Sequence, residues 1–180
     1  MRPAISLRHP RPDDAAALEA LVSDPAVALP TAAIPHPYPP GGAAAHLADL
    51  ARRQAGGLEH AFAIIAGIAP ETAPGTAPLI GMITLRPDID DGDGRTAELG
   101  YVLGRDWWGQ GIATAAGRKV LVIARDQLAL ARLAADVKHD NHRSAAVLHH
   151  LGFTETGRRM KHWPARGGMV LVRQFVLNLG

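Results

Sequence analysis

Apolar residues follow two different spacings along the chain. Some segments are apolar at every second position or almost throughout, whereas in others apolar residues recur every three or four positions, as at Ile112, Ala116 and Val120. The first spacing predicts strands at 5–8, 60–65, 79–85, 97–103, 133–137, from 153 onward and at 169–177. The second predicts helices from about 14 to 24, after 42, from 111 to 125 and from 141 to 151. Asp13 or Asp14 is the expected side-chain cap of the first helix.

The resulting order is β-α-α-β-β-β-α-β-α-β-β, with no internal repeat. This order predicts an α/β fold with a mixed, mostly antiparallel central sheet and helices on both faces. Residues 29–42 contain five prolines and two glycines, so a loop is expected between the first two helices. That loop is either a surface connection or one wall of a substrate pocket, to which Tyr38 would offer a ring and a hydroxyl.

Composition narrows the class of protein. The 180 residues predict one domain spanning 1–180. No apolar run approaches the roughly 20 residues of a membrane helix, and the first residues lack a secretory h-region, so a cytoplasmic protein without membrane contacts is expected. The formal net charge of +2, without a long Lys/Arg run, disfavours nucleic acid as a partner. Zero cysteines exclude disulfides and thiolate catalysis, and the spacing of the nine histidines predicts no metal site.

A glycine-containing turn joins the predicted strand at 97–103 to the helix that begins near Gly111. Helix N-termini carry unpaired N–H groups and a partial positive charge, so a turn without bulky side chains can hold a phosphate against the backbone. Gly109 and Gly111 would allow this close approach. The spacing fits neither a P-loop nor a dinucleotide-binding glycine motif. The turn therefore predicts an anion site of another kind, or an ordinary glycine-capped helix.

The letters W-G-Q-G-I-A-T at 108–114 resemble the pyrophosphate loop of the GNAT N-acetyltransferases, usually written [Gln/Arg]-x-x-Gly-x-[Gly/Ala]. Trp108 departs from the first position, although W-G-x-G is similar to the RimJ/RimL-like branch, the ribosomal-protein-alanine N-acetyltransferases. Residues 141–153 resemble the family's Asn-x-x-Ser…Leu-Gly-Phe signature, and residues 98–103 resemble the strand before the loop. Trp107 and Trp108 themselves are expected to pack against the edge of the sheet.

The resemblance implies a GNAT fold and acetyl-CoA as co-substrate, with no metal. It implies that the exposed main chain of Tyr101, Val102 and Leu103 pairs with the amides of pantetheine, as an added strand would. Asn141 would contact the cofactor, and Ser144 would lie near the sulfur and assist departure of the thiolate. The amides implied for the pyrophosphate are those of Gly109, Gln110, Gly111, Ile112, Ala113 and Thr114.

The implied function is acetyl-CoA-dependent N-acetylation of a primary amine by direct attack in a ternary complex, with Glu98 as the base. The acceptor could be a protein N-terminus, a polyamine or an antibiotic-like amine, and Tyr38 is predicted to line its pocket. A monomer or a homodimer is expected. Alternatives stay open: Asn141 as a helix cap alone, Ser144 as an ordinary first-turn serine, and Glu98 as a solvated strand residue. At the level of the protein, the alternatives are a non-catalytic acyl-CoA-binding regulator and a purely structural module.

Overall fold

The structure, a computed structural model, describes residues 4–67, 77–87 and 94–180. Its strands are β1 Ile5–Arg8, β2 His60–Ala66, β3 Leu79–Pro87, β4 Thr96–Leu103, β5 Arg132–Lys138, β6 Thr154–Trp163 and β7 Gly168–Asn178. Its helices are α1 Ala15–Ser23, α2 Pro25–Ala28, α3 Gly42–Ala55, α4 Ile112–Asp126 and α5 His142–His150. Short 3-10 turns lie at Pro12–Asp14, Arg105–Trp107 and Pro164–Arg166. The predicted order of strands and helices is confirmed, with the one-turn α2 as an addition.

The seven strands form one sheet in the order β1-β2-β3-β4-β5-β7-β6. Neighbouring strands run antiparallel except β4 and β5, which are parallel and pair only from Thr96 to Glu98, opposite Arg132 to Ala134. Beyond Glu98 the two strands continue, to Leu103 and Lys138, outside this pairing. The predicted mixed, mostly antiparallel sheet is confirmed, and it opens between its two central parallel strands.

Helices cover the two faces of the sheet with separate apolar clusters. On one face Leu99 and Leu103 of β4 pack with buried residues of α4 and α5. On the other face Val102 packs against a cluster drawn from α1, α2, α3, β2 and β3. Because successive strand residues point to opposite faces, Tyr101 lies on the α4/α5 face and Glu98 lies on the α1/α3 face. The expected placement of helices on both faces is confirmed.

The start of α1 differs from the sequence-based expectation. Asp14 occupies the capping position, but its carboxylate makes no side-chain cap of α1. Instead it accepts two hydrogen bonds from Arg8, at 2.6 and 2.8 Å, and a third from the main-chain N–H of Arg11. The expected cap is wrong because a guanidinium on β1 offers a buried carboxylate a stronger, charge-assisted partner than a neutral amide.

Within the described ranges, no helix is both long and apolar enough to cross a membrane.

Candidate active site

The opening between β4 and β5 exposes the main chain of only some β4 residues. The N–H of Gly104 donates to the carbonyl of Ile80 on β3, at 2.8 Å. Hydrogen-bonding directions alternate along a strand, so the main-chain groups of Val102 also face β3, where it lies opposite Met82. Those of Tyr101 and Leu103 face the opening. The main chain of Val102 therefore pairs with β3 and is not available to pantetheine, contrary to the expectation. Any contact of Val102 with a ligand would use its side chain.

The predicted anion site lies at the end of this opening, where α4 begins. Gly109 and Gly111 have φ angles of 74° and 76°, a left-handed conformation that favours glycine. Gly111 is the residue before α4, and the N–H of Ala115 bonds to its carbonyl. The three preceding amides, those of Ile112, Ala113 and Thr114, therefore lack acceptors within the helix. These amides, at the positive end of a 15-residue helix, fit a pyrophosphate group.

Trp108 fills part of the opening. Its indole N–H donates to the carbonyl of Leu103 at 2.8 Å, and its ring packs against both apolar clusters, which lie on opposite faces of the sheet. The guanidinium of Arg143, from α5, lies 5.1 Å from the ring centroid. Trp107 and Trp108 pack against the sheet as expected, but Trp108 does so at the opening between two central strands rather than at an outer edge of the sheet. The carbonyl of Leu103 is already bonded, which leaves the N–H of Leu103 and the main chain of Tyr101 to face the opening.

The start of α5 brings two of the predicted residues to the α4/α5 side of the opening. The side-chain oxygen of Asn141 accepts the N–H of Ser144 at 3.1 Å, so Asn141 is a helix cap. The hydroxyls of Ser144 and Tyr101 are 2.8 Å apart. Burial raises the pKa of Tyr101 to about 12, partly offset by the hydrogen bond to Ser144. The phenol stays protonated at neutral pH and can donate a hydrogen bond, a capacity of its side chain that sequence reasoning missed.

Glu98 reaches the same opening from the α1/α3 face. It is the last paired residue of β4 before the strands part, and its side chain is 42% exposed. The ammonium of Lys161 on β6 lies 3.5 Å from its carboxylate and 2.7 Å from that of Asp136 on β5. Arg159 also pairs with Asp136, at 3.0 Å. Sequence reasoning missed this group of charges because its members come from three separate strands.

The loop at 29–41 packs against the tip of the β6–β7 hairpin. Arg166, in that tip, donates hydrogen bonds to the carbonyls of Ala28, Thr31 and Ile34. Tyr38 packs against the α1/α3 cluster; burial, followed by the charge of Glu19, raises the pKa of its hydroxyl. Loop and hairpin therefore form one unit on the face that carries Glu98.

A separate open cavity of about 590 Å³ lies on the β3 side of the 3-10 turn Arg105–Trp107. Leu21, Asp24 and Gly104 are among its lining residues. None of the residues predicted for catalysis or cofactor binding lines it. The opening between β4 and β5, where those residues converge, is therefore the stronger candidate for the active site.

Comparison with known proteins identifies the family of the chain. A domain family described as acetyltransferase (GNAT) domain matches residues 5–154. The chain is 37% identical over 89 residues to p20 of Bacillus licheniformis, named as an uncharacterized N-acetyltransferase. It is 40% identical over 80 residues to YdaF of Bacillus subtilis (strain 168), whose name assigns it provisionally to the ribosomal N-acetyltransferases. These alignments cover 49% and 44% of this chain and 49% and 43% of the relatives, about half their length.

The fold is also found in a solved structure of RimJ from Mycobacterium smegmatis in complex with CoA-disulfide. The TM-score is 0.79 at 24% sequence identity, over 97% of this chain and 81% of that one. This similarity confirms the predicted fold, and the ribosomal N-acetyltransferase relative supports the predicted RimJ/RimL-like branch. Because the family match extends over most of the sequence, the chain belongs to the GNAT acetyltransferase family.

Proposed function

We propose that this chain transfers an acetyl group from acetyl-CoA to a primary amine by direct attack in a ternary complex. One observation carries the proposal: the unpaired edge of β4 leads directly to the free amides at the start of α4. In CoA, the extended pantetheine arm with its amides leads to a pyrophosphate, and this arrangement matches a strand edge followed by a helix N-terminus. The RimJ structure that shares the fold holds CoA-disulfide, which supports CoA as the ligand of this opening.

The cofactor would lie along the opening with its two halves held differently. Pantetheine amides would pair with the main chain of Tyr101 and the N–H of Leu103, which face the opening. The pyrophosphate would accept hydrogen bonds from the amides around Gly111 to Thr114. Asn141 would contact the cofactor through whatever hydrogen-bonding capacity remains beside its capping bond.

The acetyl group would then lie where the two faces of the sheet meet. The amine nitrogen attacks the thioester carbonyl carbon, Glu98 takes a proton from that nitrogen through a water molecule, and the C–S bond breaks. Ser144, with the protonated phenol of Tyr101 beside it, would donate to the departing sulfur. A free Lys amine has a pKa of about 10.4 and an α-amine about 7.7 to 8.0, so the base matters most for the more basic acceptor.

The acceptor would enter from the α1/α3 face, between the 29–41 loop and the β6–β7 hairpin. A protein N-terminus or a small-molecule amine would satisfy this chemistry, and the name of YdaF favours a ribosomal protein. Tyr38 would form part of the pocket wall. We expect a monomer or homodimer that works in the cytoplasm without nucleic acid or membrane partners.

Replacing Glu98 with glutamine tests the proposed base. We expect kcat to fall by about 10² to 10⁴ at neutral pH and to recover partly at high pH, where unprotonated amine is plentiful without help. Acetyl-CoA binding should stay unchanged, and Ser144→Ala should have the smaller effect because a thiolate leaves with little assistance. Full activity of Glu98→Gln at every pH would place the base elsewhere. If the unmodified chain binds acetyl-CoA but transfers acetyl to no amine, a regulatory acyl-CoA-binding domain would be favoured.

A further inference from the structure

Lys161 lies between two carboxylates, those of Asp136 and Glu98. Its ammonium lies 2.7 Å from the carboxylate of Asp136 and 3.5 Å from that of Glu98. The Asp136 side chain is 11% exposed and that of Lys161 is 30% exposed, so solvent screens their attraction only partly. Together with Arg159, which pairs with Asp136 at 3.0 Å, Lys161 thus already balances the charge of the two carboxylates from within the chain.

These charges lie on the face from which the acceptor would approach. Ala135 and Val137 belong to the α4/α5 cluster, so Asp136, between them, points to the α1/α3 face with Glu98. Lys161 is on the hairpin whose tip holds the 29–41 loop through Arg166. Arg86, opposite Glu98 in the β3–β4 ladder, adds a further cation on this face.

Without Lys161, the two carboxylates would carry a negative charge that Arg159 balances only in part, and they would attract an amine that carries a second ammonium group. With Lys161 between them, the same amine meets a like charge, and like-charge contacts suppress the wrong partner of an interface. A monoamine brings no second charge, so Lys161 does not weaken its binding. We infer that Lys161 is a specificity residue that excludes diamines and polyamines and selects acceptors with a single amine; this inference rests on the proposed function.

The inference predicts a change of acceptor when the ammonium is removed. Lys161→Met should raise the ratio of kcat/KM for putrescine to that for butylamine, which differ by one amine, by at least about tenfold. If only peptides are acetylated, the two substrates compared become two peptides, one with lysine and the other with alanine at the second residue. Added salt should reduce the gain, because it screens the newly exposed carboxylates.

Three variants serve as controls. Lys161→Arg keeps the charge and should keep the wild-type ratio. Arg159→Met removes a cation that is 52% exposed and that, among the described residues, pairs with Asp136 but not with Glu98, so it should change the ratio much less. Adding Asp136→Asn to Lys161→Met should abolish most of the gain, because one of the two carboxylates is lost. If Lys161→Met does not fold, Lys161→Gln makes the same test with a polar side chain.

The outcomes separate this inference from the function on which it rests. Transfer to amines with the same ratio in wild type and Lys161→Met would overturn the specificity role alone. A wild-type preference for putrescine over butylamine would also overturn it. Absence of transfer from acetyl-CoA to any amine in the wild-type protein would refute the proposed function, and the inference with it.

Discussion

Replacing Gly111 with alanine and with glutamate separates the cost of its left-handed backbone from the effect of an added negative charge on anion binding. At a φ angle of 76°, any Cβ costs about 1 to 2 kcal/mol, so both variants should unfold at lower temperature than wild type. Only glutamate adds a negative charge beside the position proposed for the pyrophosphate. Two unit charges 4 Å apart at an effective dielectric constant of 20 repel by about 4 kcal/mol. This repulsion corresponds to a loss of affinity on the order of a thousandfold.

Titration calorimetry with CoA and with pantetheine measures these effects. CoA should bind Gly111→Glu roughly a thousandfold more weakly than Gly111→Ala. Pantetheine lacks the pyrophosphate, so its affinity should be similar in the two variants. Equal CoA affinity in folded Gly111→Ala and Gly111→Glu would show that the pyrophosphate does not lie at the start of α4.

Three further predictions concern the surroundings of the opening. With Tyr38→Phe, Tyr101 is the remaining tyrosine of the chain and should ionise at about 12 in an ultraviolet titration; an ordinary value near 10 would contradict its burial against Ser144. Asp14→Asn should lower the free energy of unfolding at neutral pH by about 2 to 4 kcal/mol. Burial opposes ionisation of Asp14, but Arg8 lowers its pKa below the unfolded value. The difference in unfolding free energy between wild type and Asp14→Asn should therefore shrink as the pH falls towards that lowered pKa. A difference that persists in acid would exclude the ion pair as its source. Arg166→Ala should raise the acceptor KM and leave acetyl-CoA binding unchanged, whereas weaker cofactor binding would place the 29–41 loop over the cofactor.

The sequence predicted the features that depend on local spacing. Apolar periodicity is sufficient for the order of strands and helices, since each element exposes one apolar face to the core. The glycines at 109 and 111 indicated the turn before α4 because left-handed backbone strongly favours glycine. The capping role of Asn141 followed from its residue type, whereas its contact with the cofactor stays a prediction.

Contacts between strands could not be predicted in this way. Lys161 meets Asp136 and Glu98 because the β6–β7 pairing shifts by one residue between Glu155 and Gly157. Such a bulge reverses which side chains face each side of the sheet, so its position decides where Lys161 points. Apolar periodicity does not mark the position of this bulge in the sequence.

The side-chain role of Tyr101 was missed for a related reason. Its contact with Ser144 joins a strand to a helix that lies 43 residues away in the chain. The placement of α5 over the end of β4 depends on packing across the whole α4/α5 cluster. Periodicity placed Tyr101 on the strand but could not show which element would cover its hydroxyl.

The most direct test of the central claim is to measure free CoA released from acetyl-CoA across a library of amines. Because the chain contains no cysteine, a thiol-reactive dye reports released CoA without a background from the protein. The proposed function predicts release that depends on the added amine, saturates with it, and is matched by an acetylated product in mass spectrometry. Tight acetyl-CoA binding with no amine-dependent release, across small amines and peptide N-termini alike, would contradict it.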